Sequence, residues 1–228
     1  MLQSDLRPAD YAIEIRCRRI LERHRELIHV QKDHIAVGKL SLIVEAILDL
    51  SNRQGFHATS LRDLVQQSGV SMGSLYSYFD SKDRLLLMIL GEVTATVTEV
   101  LQSPPAEIIN DPKIHLAWLI ETHIRLTEYM QKWFVFAFME AKSFPRTARK
   151  IATDSEAATE KLFADVLKRG QETSDFVLDE PDFTASLIKP LLQDWYVKRG
   201  KYRKRGVSIE TYIDGVLEFV TRSIYSKG

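Results

Sequence analysis

From Ser71 to Ser77 the chain reads Ser-Met-Gly-Ser-Leu-Tyr-Ser, and nearly every side chain in it is small, hydroxylated or phenolic. Such residues suit a helix pressed against a polar partner: Gly73 and Ser74 permit close approach, while Tyr76 and Tyr78 each carry a donor on a flat apolar body. Gly69 precedes this stretch, and the segment before it, "TSLRDLVQQS", offers Thr59 or Ser60 as a helix cap and Arg62 one turn in. Two short helices meeting across a glycine turn make a helix-turn-helix. The second helix of such a device enters a major groove about 12 Å wide, so its outward residues must be small or polar. On this reading Ser71, Met72, Gly73, Ser74, Tyr76, Ser77 and Tyr78 face double-stranded DNA. Arg62 reaches a base edge or a phosphate, and Thr59, Ser60 and Lys82 stand at helix starts that attract phosphate.

A helical hairpin that only packs would bury the same Leu61, Leu64, Val65, Val70, Leu75 and Phe79, so a scaffold with a degenerate helix-turn-helix is the alternative. Charge does not help the DNA reading. Lys39, Arg53, Arg62, Lys82 and Arg84 are balanced by Glu45, Asp49, Asp63, Asp80 and Asp83, and the whole chain carries 31 cations and 31 anions. Because phosphate neutralisation supplies much of DNA affinity, a single copy would bind weakly. The functional reading therefore requires a homodimer.

The elements that must position these residues are helices. Glycine and proline fall mostly between periodic segments, and no alternating run is flanked by hairpin turns. A charged helical leader is expected over 1–37, with Ile13, Cys17, Ile20, Leu21, Leu27 and Ile28 near one face and Arg16, Arg18, Arg19, Arg23 and Arg25 on it. Gly38 should break it. A helix-turn-helix domain over 38–83 follows, its first helix turning Leu42, Ile43, Ala46, Ile47 and Leu50 inward and stopping at Gly55. A body over 84–228 should hold a helix shared with the small domain from Ser81, then helices near 112–130, 132–142, 146–170, 182–199 and 208–226, with Pro190 inside the fourth.

The stretch "TSLRDLVQQSGVSMGSLYSYFDSKDRLLLMIL" resembles the DNA-binding module of the TetR family of transcriptional regulators. It supplies the family's Gly-Val (Gly69, Val70), small or polar run (Ser71 to Ser74), Leu75, Tyr76, Tyr78, Phe79, Lys82 and leucines Leu85 and Leu86. The resemblance implies an all-α chain: an N-terminal three-helix DNA-binding domain and a C-terminal helical ligand-binding and dimerisation domain. It also implies that Arg62, Ser71, Met72, Ser74, Tyr76, Tyr78 and Lys82 touch DNA. One departure is that residues 1–37 precede the first family helix; they form either an extra DNA-contacting arm or, as the apolar spacing favours, a helix packed on the body.

In the body, aromatic residues recur on helices: Trp118, Tyr129, Trp133, Phe134, Phe136, Phe138, Phe144 and Phe163. Most are core by type, yet Trp118, Phe134 and Phe138 are candidate walls of an apolar effector pocket, with His115, His123, Arg125 and Glu140 as candidate orienting groups. Near the end, "WYVKRGKYRKR" packs six cations into residues 198–205. That is a solvated loop, or an anion site in which Trp195, Arg199, Arg203, Lys204 and Arg205 hold a phosphate-bearing effector. The segment is similar to that of TetR-family members responding to acyl-coenzyme A. Leu187, Ile188, Leu191, Leu192, Ile209, Ile213, Val216, Leu217, Val220 and Ile224 form stripes that suit a dimer interface.

Several classes are excluded by what the chain lacks. It has no Gly-rich phosphate loop, nucleophile elbow or metal-spaced His/Cys set, so no enzyme, metal or cofactor is expected. One cysteine, no signal segment and no apolar run long enough for a bilayer point to a cytoplasmic protein without a membrane partner. The expected function is a ligand-responsive transcriptional repressor, released from its operator by a small hydrophobic effector such as an acyl-coenzyme A.

Overall fold

Helix caps and glycine stops divide residues 6–225, which the computed structural model describes, into eleven α-helices; no strand occurs among them. They are α1 (Ile13–Arg23), α2 (Asp33–Gln54), α3 (Leu61–Ser68), α4 (Met72–Leu75), α5 (Lys82–Leu101), α6 (Pro112–Tyr129), α7 (Gln131–Met139), α8 (Arg146–Glu172), α9 (Pro181–Val197), α10 (Arg199–Lys204) and α11 (Ile209–Ile224). By their internal contacts they form two compact units, one of residues 7–95 with 130–154, the other containing 96–129 and 155–225. None of these helices is long and apolar enough to cross a membrane.

The first unit is built around α2, whose Leu40, Ile43, Val44, Ile47 and Leu48 are all buried. Leu42 is an exception to the expected inward face: it stays 49% exposed. Gly38 does not break the chain either. It lies inside α2, which starts at Asp33, because the leader ends earlier, at α1, and an isolated helical glycine costs only about 1 kcal/mol. The leader helix α1 packs on α2 and buries Cys17, Ile20 and Leu21. Full burial of such an aliphatic side chain contributes about 1.5–3 kcal/mol. Burial also pushes the Cys17 thiol up to about 12, leaving it an inert apolar group.

The leader arginines are committed inward. Arg16 Nη1 lies 3.1 Å and Arg19 Nε 3.3 Å from Oε1 of Glu92, and Arg23 pairs with its Oε2. Glu92, on α5, is wholly buried, so these guanidinium groups supply the charge that lets a carboxylate sit there. The contacts of α1 are thus with α2 of the reading module and with Glu92 of α5.

The helix α7 also packs on α2. Phe56, just past the Gly55 stop, meets Phe136 and Phe144 edge-on at centroid distances of 5.9 and 5.7 Å. Its N–H donates to Glu140 Oε2 at 2.7 Å. Lys132 of α7 lies 2.9 Å from Asp49 and 3.7 Å from Glu45, two of the five anions of the reading module.

In the second unit α6, α9 and α11 pack on one another. The buried stripe of α11 is Ile213, Val216, Val220 and Ile224, and that of α9 includes Ile188 and Leu192. The helix α9 runs through Pro190 without ending. Gly170, near the end of α8, lets the chain fold back: Phe176 N–H donates to its carbonyl at 2.9 Å, and a Cβ there would lie 2.1 Å from the Phe176 ring. Phe176 in turn stacks on Tyr225 at 5.6 Å.

Candidate functional site

Ser60 opens α3 with a complete capping box. The Asp63 N–H donates to Ser60 Oγ at 3.1 Å, and Ser60 N–H donates back to Asp63 Oδ2 at 2.8 Å. These bonds, backbone first, hold the Asp63 carboxyl below its usual range. Gly69 ends the helix with φ of 70°, a left-handed conformation that a side chain would strain. Ser68 tightens the turn, donating to the Leu64 carbonyl at 2.6 Å and accepting from Val70 N–H at 3.2 Å. Ser71 then caps α4, its Oγ accepting from Ser74 N–H at 3.3 Å.

This scaffold sorts the candidate DNA contacts. Leu64, Val70, Leu75 and Phe79 are buried and anchor the two helices, with Leu61 and Val65 half-buried. Ser60, Arg62, Ser71, Gly73 and Tyr76 are exposed, and Met72, Ser74 and Ser77 are half-buried on the same short segment. Among the described residues the side chains of Arg62 and Tyr76 make no hydrogen bond or ion pair, so both are available to a partner.

Three candidates are held within the first unit. Thr59 is buried, and its hydroxyl donates to the Gly55 carbonyl at 2.9 Å, closing the turn after α2. Tyr78 is wholly buried with its hydroxyl unpaired, and burial raises that phenol above its ordinary range. Its backbone N–H donates to the Leu75 carbonyl at 2.9 Å in the turn after α4. Lys82 places its ammonium 2.8, 3.2 and 2.7 Å from the carbonyls of Phe56, His57 and Thr59 and over the Phe56 ring at 4.5 Å. Its three donors are thus spent as a clamp on the loop between α2 and α3.

Two residues near this surface had no local signal. Lys39 of α2 reaches Ser74 Oγ at 3.2 Å, bringing a cation to α4 from 35 positions away. His29 N–H donates to the Ser77 carbonyl at 2.8 Å, tying the leader to the turn after α4.

The candidate effector residues fall in both units. Phe134, buried, and Phe138, 37% exposed, belong to the first unit. Trp195 and Arg199 are internal to the second: the Trp195 indole donates to Glu128 Oε2 at 2.9 Å, and Arg199 pairs with Glu128 at 2.9 Å while stacking on Trp195. The basic segment is not a loop but the end of α9 and the short α10. Lys198 and Lys201 both pair with Asp194. Although burial opposes it, hydrogen bonds from Lys198, Lys201 and Tyr202 hold Asp194 well below the carboxylate range. Arg203, Lys204 and Arg205 remain exposed and make no side-chain hydrogen bond or ion pair among the described residues.

Trp118 lines a cavity of about 390 Å³ with Lys113, Ile114, Ala117, Glu121, Leu217 and Tyr225. His123 is fully buried against Phe163 and lies 3.0 Å from the ammonium of Lys189 on α9. Burial first, then Lys189, drives His123 far below its ordinary value, so it is neutral. His115 is held likewise: burial and Arg169, 2.7 Å away, push it down to about 4. Lys189 was not among the sequence candidates, although a charge within the apolar run "ASLIKPLLQDW" was a legible signal.

Comparison with known proteins agrees with this geometry. Residues 43–89 match the family described as bacterial regulatory proteins, tetR family, and residues 110–220 match the tetracyclin repressor-like C-terminal domain. The chain is 26% identical over 139 residues to the HTH-type transcriptional repressor KstR of Mycobacterium tuberculosis, covering 58% of this chain and 60% of that one. It thus spans less than two thirds of the length of this curated relative. Among solved structures, the TetR family regulator PfmR from Thermus thermophilus aligns with a TM-score of 0.65 at 24% identity, over 79% of this chain and 97% of that one. The regulator FadR of Bacillus subtilis, solved with stearoyl-CoA, aligns at 0.58 and 16%, over 78% and 96%, a likeness of fold alone. With its helix-turn-helix and its C-terminal helices both matched, the chain belongs to the TetR family of bacterial transcriptional regulators.

Proposed function

We propose that the chain is a dimeric, cytoplasmic transcriptional repressor that reads operator DNA with α3 and α4 and is released by a hydrophobic effector bound in the second unit. The observation that carries the DNA reading is the pair Arg62 and Tyr76, exposed and unengaged beside Gly73 and Ser71. The charge balance supports it further, since Lys132 covers Glu45 and Asp49 and the capping box occupies Asp63. A mobility-shift assay on the DNA upstream of the chain's own gene tests it. Arg62→Ala and Tyr76→Ala should each weaken binding by about 1–3 kcal/mol per contact, roughly 5- to 150-fold. Unchanged binding in both variants would overturn the interface, and no binding even at low salt would favour the scaffold alternative.

Dimerisation is best served by Phe183 and Leu187 on α9 and Phe219 on α11, which are 62%, 58% and 65% exposed. The stripe expected from sequence is largely spent on the subunit's own core, so this surface replaces most of it. Phe219→Asp should convert dimer to monomer on a sizing column. For the effector, the exposed cations Arg203, Lys204 and Arg205 support an acyl-coenzyme A. Thermal shift by such a thioester, lost when the three are neutralised, is the expected result; no shift would remove that reading.

A further inference from the structure

We propose that Lys189 and His123 form a carboxylate-binding site inside the second unit, so that the effector is an apolar molecule ending in a free carboxylate. This rests on the effector-responsive reading and names a free acid, in place of the acyl-coenzyme A, as the ligand. Lys189 is 7% exposed, and its ammonium has His123 Nε2 as its hydrogen-bond partner, at 3.0 Å. The ammonium donates, so Nε2 is the acceptor and the neutral ring carries its proton on Nδ1. Among the described residues no carboxylate lies within ion-pair distance of Lys189.

The acidic groups that face Lys189 act only from farther away. Glu156 and Glu160 on α8 favour its charge, but Glu156 accepts from Gln193 and is exposed. On its own helix, Asp194 is occupied by Lys198, Lys201 and Tyr202. A buried ammonium without a counter-charge is costly, and the cost is relieved by an anion placed on it. The ring of Phe163, edge-on to His123 at 6.4 Å, gives the pair an apolar wall. An acid that inserts its carboxylate here pairs the ammonium, whereas the matching amide or ester leaves it uncompensated. Discrimination of at least about 100-fold is expected from that difference.

The test uses the full chain with hexanoate, decanoate and phenylacetate, each against its primary amide, and decanoyl-coenzyme A as a further arm. Melting temperature and release of the bound operator fragment are read in the same samples. At least one acid should raise the melting temperature and release DNA while its amide does neither. Lys189→Met should abolish the response while melting at or above the parent temperature, and Lys189→Arg should keep the preference for acids. Acids and amides acting alike, no acid acting, or a Lys189→Met variant that still responds to acids would each overturn the proposal. Operator binding without any acid response leaves the DNA reading standing and removes this one. A response to the thioester alone keeps an effector but refutes its carboxylate.

Discussion

Replacing Lys82 by Met separates a phosphate contact from a structural clamp. In the structure its ammonium meets three carbonyls and the Phe56 ring. A charge-assisted hydrogen bond contributes about 1.5–3 kcal/mol. Three bonds from one half-buried ammonium share its charge and are not additive, and the cation–π contact adds about 0.5–1 kcal/mol. The expected loss is roughly 2–3 kcal/mol, which lowers the melting temperature of a chain this size by about 5–10 °C. Operator affinity should fall as well, because the loop that orients α3 loosens. The diagnostic measurement is the slope of log K against log salt. If Lys82 bound a phosphate in each half of a dimer, its removal would reduce that slope by about 1.8, at roughly 0.9 per phosphate. A clamp leaves the slope unchanged. A shallower slope with an unaltered melting temperature would refute the clamp and return Lys82 to the DNA surface.

Other changes probe separate parts of the molecule. Glu92→Gln strips the shared counter-charge from Arg16, Arg19 and Arg23 and should cost about 3–5 kcal/mol in chemical denaturation, as expected when one partner of a buried pair is removed. Tyr78→Phe deletes a buried, unpaired hydroxyl, so stability should hold or rise by up to about 1 kcal/mol with operator affinity intact; weakened DNA binding would contradict the burial of this residue. Gly170→Ala should destabilise by about 1–3 kcal/mol, since the new methyl would overlap the buried Phe176 ring. Burial brings the Lys189 ammonium from 10.5 down to about 8. Its penalty, roughly 3 kcal/mol, is fully present below pH 8 and fades as pH rises toward 10.5, where the unfolded chain also loses the proton. Wild type should therefore gain stability relative to Lys189→Met between pH 8 and 10.5, and parallel curves would contradict this.

The sequence by itself determined the helices and the turn of the reading motif. Caps and stops act over three or four residues, so Ser60, Ser71, Gly55 and Gly69 could be assigned from neighbours alone. Arg62, Gly73 and Tyr76 followed from that frame as outward positions. Tertiary structure decided which polar groups were already taken. Lys82, Arg199 and the leader arginines look available along the chain, but their partners lie 23 to 26, 71 and 69 to 76 positions away. Long cationic side chains seek carbonyls and carboxylates across space, and no local rule names the partner. The same physics hid Lys189: only the packing of α6, α8 and α9 shows a buried ammonium beside a neutral histidine and no acid close enough to pair it.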